Sequence, residues 1–199
     1  MEIFSARLKF LRERNALYTY QIADKLRLST LSYEDLENGQ RKPDVDMLSK
    51  LPDILGESVD FLIGVTDYDK LCAHFKLQYM RSVVGYVVSE QRIKELEEIF
   101  SESRDKLTQY QIDAHTNITK EYISDMLKIK AEQREFRDRL YTRLEKIPFI
   151  SKKTLRNIDN EVAETINRIS SNLSEYYPPL TSIDWRLSYL KSSYPPKLD

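Results

Sequence analysis

The spacing of apolar residues is the feature that most constrains the fold of this chain. Over the first sixty residues, apolar side chains recur every three or four positions in five short segments, which is the period of an α-helix and not of a strand. Helix-starting and helix-ending residues fall at the joints: Ser29 can cap a third helix, and Gly39 and Gly56 follow the third and the fourth. The pattern predicts an all-α domain of five helices over residues 1–66.

Composition argues against other fold classes and against cofactor chemistry. The 199 residues include four Gly and one Cys, so glycine-dependent hairpins and phosphate-binding glycine loops have little material, and no intramolecular disulfide can form. Cys72, His74 and His115 are too few for a Cys/His zinc site. We therefore expect no metal and no other cofactor, and a single thiol is typical of a reduced, cytoplasmic protein.

The chain also lacks the sequence signals of a membrane or exported protein. No run of about 18 apolar residues is present to span a membrane. The segment Met1-Glu2-Ile3 has neither the basic nor the apolar part of a signal peptide. We expect a cytoplasmic protein with no membrane partner.

Five segments within residues 7–62 carry a family resemblance: Arg7 to Arg12, Ile22 to Leu26, Leu28 to Ser29, Leu36 to Pro43, and Leu55 to Leu62. In register and residue type they resemble the Cro/repressor-type (xenobiotic response element, XRE) helix-turn-helix family of transcriptional regulators. The resemblance covers about a third of the chain. It implies a lambda-repressor-like domain whose recognition helix, from about Thr30 to Glu37, enters the major groove of DNA with its N-terminal half.

The resemblance also implies which side chains meet DNA. Four residues of the recognition helix would face bases: Thr30, Leu31, Ser32 and Asp35. Others would contact the backbone: Arg27, Arg41 and Lys42, with Gln21 assisting and Thr19 at the position of the family's usual Gln. Arg27 replaces the family's turn Gly, and the pattern implies an internal ion pair of Arg7 or Arg12 with Glu37. Residues 1–66 hold 9 basic and 11 acidic side chains, so their overall field does not attract DNA.

A partial repeat organises the middle of the chain. A shift of ninety positions pairs Leu17 with Leu107, Gln21 with Gln111, Ile22 with Ile112, Leu28 with Ile118, Ser29 with Thr119, Tyr33 with Ile123 and Leu36 with Met126. We predict a helical domain at 89–150 holding a second, degenerate helix-turn-helix at 92–130, in which Gln109 and Lys120 would contact DNA. The linker at 67–88 contains an apolar run, 83–88, that fits either a helix end or a strand.

Residues 151–199 carry the clearest amphipathic helix of the chain. Apolar residues recur at three- and four-residue intervals while the other faces are polar, and Pro178 must end the helix. We predict that this stripe is the seam of a homodimer: Leu155, Ile158, Val162, Ile166, Ile169 and Leu173. Beyond it, Trp185 is expected to pack the tail onto the body of the protein or onto a partner.

Two functional hypotheses follow. The first is a sequence-specific regulator of transcription, a repressor of phage or mobile-element type that binds double-stranded DNA as a homodimer and responds to a protein or peptide inducer. The alternative is a protein-binding adaptor, antirepressor or antitoxin-like, whose acidic Glu34 and Asp35 engage a partner protein. No motif brings together a nucleophile, a base and a metal set, so we do not expect an enzyme.

Overall fold

The computed structural model describes residues 2–176, and over this range the chain is helical with no strand. The elements are α1 (Glu2–Arg14), α2 (Thr19–Leu26), α3 (Thr30–Glu37), α4 (Val45–Leu55), α5 (Val59–Ile63), α6 (Lys70–Ser103), a 3-10 turn (Arg104–Lys106), α7 (Gln109–Leu144) and α8 (Lys152–Tyr176). The predicted all-α class is confirmed. The tail around Trp185 lies outside the described residues. None of the described helices is long and apolar enough to cross a membrane.

The chain divides into two compact units. The first comprises residues 2–77 together with 137–158, and the second comprises residues 78–136 together with 159–176 of the described chain.

The first unit contains the predicted five-helix domain, α1 to α5. Its core is formed by apolar residues that recur at helical spacing in the five short segments noted in the sequence: Phe4, Leu8, Leu11, Ile22, Ala23, Leu26, Tyr33, Leu36, Met47, Leu51, Leu55, Phe61 and Leu62. Side-chain caps start three of the helices, since Ser29 accepts from the Ser32 N–H, Asp44 from the Met47 N–H and Ser58 from the Phe61 N–H. Local sequence therefore sets these helix starts, and burial of the stripes holds the helices together.

The first unit also includes residues far along the chain, held by Asp67 in the connection after α5. Asp67 accepts from Arg7 Nη2 at 2.6 Å, from the Ser151 backbone N–H at 3.0 Å and from the Thr154 hydroxyl. Burial acts to raise the pKa of Asp67, but these three hydrogen bonds outweigh it and lower that pKa below its ordinary value. Arg7 is buried and donates further to backbone oxygens of Phe61, Thr66 and Pro148.

A second carboxylate, Asp69, holds the end of α7 in the first unit through Arg143. It is fully buried and accepts from Arg14 Nη1 at 2.9 Å, from Arg143 Nη2 at 2.7 Å and Nε at 3.1 Å, and from the Cys72 backbone N–H at 2.7 Å. Burial acts to raise the pKa of Asp69, but the hydrogen bonds from Cys72 and Arg143 lower it overall. We call Asp67 and Asp69 with these partners the aspartate clasp. The clasp ties α1 to residues 143–154.

The second unit is built on the long helices. The apolar run at 83–88, left open between helix and strand, lies inside α6 and is helical. Ser82 donates to the Ile129 carbonyl oxygen at 3.1 Å, and the core includes Leu96, Ile99 and Ile118 with Tyr122 against them. The His115 ring stacks on Phe100 with 4.0 Å between ring centroids.

The predicted second helix-turn-helix was wrong, because α7 continues unbroken from Gln109 to Leu144. The two copies do start alike: Gln21 accepts from the Tyr18 N–H and Gln111 from the Thr108 N–H, each at the third position of its helix. The copies then part. Ser29 caps a new helix in the first copy, whereas its counterpart Thr119 donates back to the His115 carbonyl oxygen within the same helix. No turn forms at residue 117.

The amphipathic stripe of α8 is partly covered within the chain. Ile158 and Val162 are only 2% and 8% exposed, and Leu155, Ile166 and Ile169 are half-buried. The side chain of Leu173 lies outside the described residues. A seam between two copies therefore has less free apolar surface here than the sequence pattern alone suggests.

Candidate nucleic-acid interface

The turn between α2 and α3 sets the angle of the helix pair. Arg27 ends α2 in the left-handed conformation, with φ 58° and ψ 42°. Two backbone hydrogen bonds close the end of α2: the Arg27 N–H donates to the Asp24 carbonyl oxygen at 3.0 Å, and the Leu28 N–H donates to the Ala23 carbonyl oxygen at 2.8 Å. Ala23 is buried, and its small side chain lets the helices approach closely. Arg27 thus takes the backbone conformation that glycine adopts most easily, as the family pattern implied.

The first turn of α3 is capped and points outward. Ser29 Oγ accepts from the Ser32 N–H at 3.2 Å and donates to Ser32 Oγ at 2.9 Å. Thr30 and Leu31 are exposed, Leu31 to 69%. This turn presents two hydroxyls and one isobutyl group, which suit base edges and the thymine methyl group.

The far side of α3 is fixed to α1 by a half-buried hydrogen-bonded cluster of Arg12, Tyr33 and Glu37. Arg12 donates to Glu37 through Nε at 2.6 Å and Nη2 at 3.1 Å, and the Tyr33 hydroxyl donates to Glu37 Oε1 at 2.7 Å. Burial and this hydrogen bond raise the pKa of the Tyr33 phenol, and the bond to Glu37 raises the pKa of Arg12. Ser5 Oγ also donates to the Leu36 carbonyl oxygen at 2.8 Å. Of the two arginines considered for Glu37, Arg12 forms the ion pair.

The other sequence-predicted contact residues lie on or beside the helix pair. Thr19 is the first residue of α2 and is half-buried. The side-chain oxygen of Gln21 accepts a hydrogen bond from the Tyr18 backbone N–H at 2.8 Å, so the side-chain NH2 group is the part of Gln21 that remains available to a phosphate. Arg27 and Lys42 are exposed, Arg41 and Asp35 are half-buried, and the Arg41 backbone N–H donates to the Asp35 oxygen at 3.1 Å.

Charge on this face is sparse. Three of the basic residues counted in the sequence are taken up inside the first unit, because Arg7, Arg12 and Arg14 pair with Asp67, Glu37, Glu57 and Asp69. The basic residues in α2, α3 and the connections that follow them are Lys25, Arg27, Arg41 and Lys42, and the same stretch of chain carries Asp24, Glu34 and Asp35 besides the paired Glu37. Acidic side chains therefore offset much of the positive charge near α3, and neutral hydrogen-bond donors are the other groups of this region suited to phosphate oxygens.

Sequence reasoning missed two residues at this site, Tyr18 and Tyr20. They flank Thr19, are 66% and 58% exposed, and stack with ring centroids 5.7 Å apart and ring planes 15° apart. A cleft is lined by Tyr20, Gln21, Ala23, Asp24, Lys25, Leu28, Ser29 and Thr30. A usable sequence signal exists for Tyr20, which lies two positions before Ile22 and therefore off the buried stripe Ile22, Ala23 and Leu26. Tyr18 lies four positions before Ile22, so helical spacing alone would have placed it on that stripe.

The structure does not bring the other two predicted contact residues into a helix-turn-helix. Gln109 and Lys120 lie on the single helix α7, and Gln109 Nε2 donates to Asp113 Oδ1 at 3.0 Å. Within the described part of the chain, no group of three or more His, Cys, Asp or Glu side chains is arranged to hold a metal ion.

Comparison with known proteins agrees with this geometry. A helix-turn-helix family model matches residues 8–62, which span most of α1 to α5. One relative, the SPbeta prophage-derived uncharacterized HTH-type transcriptional regulator YonR of Bacillus subtilis (strain 168), is 34% identical over 101 residues, covering 47% of this chain and 89% of the relative. Another, the uncharacterized HTH-type transcriptional regulator YobD of the same organism, is 34% identical over 65 residues, covering 33% of this chain and 58% of the relative. No solved structure matches the chain.

Proposed function

Since the chain belongs to the helix-turn-helix family of DNA-binding transcriptional regulators, we propose that it is a repressor that reads an operator in double-stranded DNA with α3. The prophage-derived relative supports a role of the phage or mobile-element type. The repressor acts in the cytoplasm and is released from its operator by a protein or peptide inducer. Thr30, Leu31, Ser32 and Asp35 face the bases.

The observation that carries this proposal is the presentation of the first turn of α3. Leu31 and Thr30 are exposed while Tyr33 and Leu36, on the opposite face of the same helix, are buried against the core. The ion pair of Arg12 with Glu37 fixes this orientation. A rigid helix with an exposed polar first turn fits a major groove about 12 Å wide. Thr19, Gln21, Arg27, Arg41 and Lys42 contact the flanking phosphates.

A repressor of this kind reads a two-fold operator with two heads, so we propose that it acts as a homodimer. The half-buried positions Ile166 and Ile169 of α8 are the part of the stripe best placed to gain burial from a second copy. The buried Ile158 and Val162 would support the seam from inside the chain.

The proposal is tested by selecting bound fragments from random DNA with the purified protein, followed by titrations on the selected site. Arg41→Ala with Lys42→Ala should weaken binding about equally on all sequences and reduce the salt slope by about one unit per lost phosphate contact. Leu31→Ala should instead relax preference at one base pair. Failure to enrich any sequence, with the protein folded, would refute sequence-specific binding.

A second function is favoured by one observation, the acidic residues of α3. Glu34 and Asp35 stand on the recognition helix and would repel phosphates, whereas they suit a basic protein partner. Changing both to Gln should tighten nonspecific DNA binding, most at low salt, if α3 lies on DNA. An unchanged DNA affinity together with loss of a partner protein would instead support the adaptor.

A further inference from the structure

We propose that Tyr18 and Tyr20 are DNA-backbone contacts, whose phenol hydroxyls donate hydrogen bonds to phosphate oxygens beside the bases read by α3. This inference rests on the proposed DNA-binding function and extends it to residues outside the family pattern. It also explains how a face with few free cations can hold a nucleic acid.

The position of the pair supports this role. Tyr18 precedes α2 and Tyr20 is its second residue, so the two rings flank Thr19. Tyr20 lines the same cleft as Ser29 and Thr30, which begin α3. A molecule that enters this cleft beside Thr30 therefore also meets Tyr20. The Tyr18 and Tyr20 rings stack with their centroids 5.7 Å apart.

The exposure of the pair shows that it does not serve the core. The two side chains are 66% and 58% exposed, whereas Tyr33 of α3 is fully buried. Two tyrosines stacked on each other in water hold each other in place, so binding costs them little further side-chain freedom. A tyrosine hydroxyl is among the usual side-chain donors to DNA phosphates.

The electrostatics favour neutral donors over cations here. Asp24 lines the cleft together with Lys25, so their charges offset each other. A phenol donor adds affinity without releasing counterions, because it carries no charge to replace them. Contacts by Tyr18 and Tyr20 should thus change the binding constant and leave its salt dependence as it is.

The test compares wild type, Tyr18→Phe, Tyr20→Phe and the double variant by fluorescence anisotropy on the selected operator at several salt concentrations. Each Phe variant keeps its ring and loses only the hydroxyl. We expect about a five- to tenfold loss of affinity per hydroxyl, with an unchanged salt slope. Tyr110→Phe, at another exposed tyrosine, is the matched control and should bind as wild type does.

The outcomes separate this inference from the function on which it rests. If wild type binds no DNA, the proposed function fails. If wild type binds and the double Phe variant equals it, the hydroxyls make no phosphate contact and the inference alone is overturned. A reduced salt slope in the Phe variants would also overturn it, because that change marks loss of a cationic contact. Thermal melting of each variant checks that the fold is intact.

Discussion

Replacing Asp69 by Ala should destabilise the first unit far more than loss of a surface ion pair does. Asp69 is fully buried, pairs with Arg14 and Arg143, and accepts the Cys72 N–H. Asp69 directly precedes α6, so its bond from the Cys72 N–H caps that helix. Removing one partner of a buried pair costs about 3–5 kcal/mol, and losing a helix cap costs about 1 kcal/mol. Both arginines keep some access to water, at 24% and 19% exposure, so the stranded charges cost less than full burial implies. We expect a total loss of about 3–4 kcal/mol.

The assay is urea unfolding followed by circular dichroism, with Asp46→Ala as the control. Asp46 pairs with Lys50 at 2.6 Å on the surface of α4, where both side chains are exposed. Such a pair is worth about 0.3–0.5 kcal/mol. Asp69→Asn removes the negative charge but keeps the size of the side chain, and its amide oxygen can still accept the hydrogen bond from the Cys72 N–H. Comparing it with Asp69→Ala therefore separates the loss of the ion pairs from the loss of the helix cap.

A double-mutant cycle of Asp69→Asn with Arg143→Gln measures the link between distant parts of the chain directly. The two residues are 74 positions apart in sequence, so a coupling energy of about 1–3 kcal/mol reports the clasp and not a local helix effect. If Asp69→Ala lies within about 0.5 kcal/mol of Asp46→Ala, or the cycle gives no coupling, the clasp does not hold residues 137–158 in place.

Three further results are expected. Arg27→Gly should raise the unfolding free energy by about 1 kcal/mol, because glycine adopts the left-handed backbone at φ 58° without strain, and a lower melting temperature would contradict this. The same change should weaken DNA binding, because it removes a positive charge. The free energy of unfolding should be constant above about pH 5 and should decrease once the pH drops below 3.8, the ordinary pKa of Asp. The two clasp aspartates have lowered pKa values in the folded state, so their contribution to stability is lost as the pH falls through those values. Acid titration of the variant with both aspartates changed to Asn should show a smaller decrease. Ile166→Asp with Ile169→Asp should convert a dimer to a monomer in sedimentation, because two charges would be buried in the seam, and an unchanged mass would place the dimer contact elsewhere. Asn167→Asp, on the exposed face of α8, is the control and should leave the mass unchanged.

The five short helices could be predicted from sequence because their determinants are local. Apolar spacing defines each buried face, and Ser29 and Gly56 mark a start and an end within the same few residues. The same local reasoning located the exposed first turn of α3. It could not locate the clasp, since Asp67 and Asp69 meet residues that follow them by more than seventy positions, and no periodicity encodes such a pairing.

The failed second helix-turn-helix shows the limit of a local match. The shared capping pattern, Gln21 in one copy and Gln111 in the other, encodes where a helix begins. Where a helix stops depends on whether a residue leaves the helical conformation, as Arg27 does and Asn117 does not. Similar side chains at matching positions therefore gave a turn in one place and a continuous helix in the other.

The aspartate clasp has a topological consequence. The first unit is made of two stretches of chain, and residues 78–136 leave it and return to it. The two ends of that excursion are neighbours, because the Arg139 guanidinium lies 6.0 Å from the centre of the Phe75 ring. A segment that departs and returns at one place behaves as an insertion, whose length can vary without rearranging its host. The first unit can therefore keep its fold while residues 78–136 are shortened or lengthened.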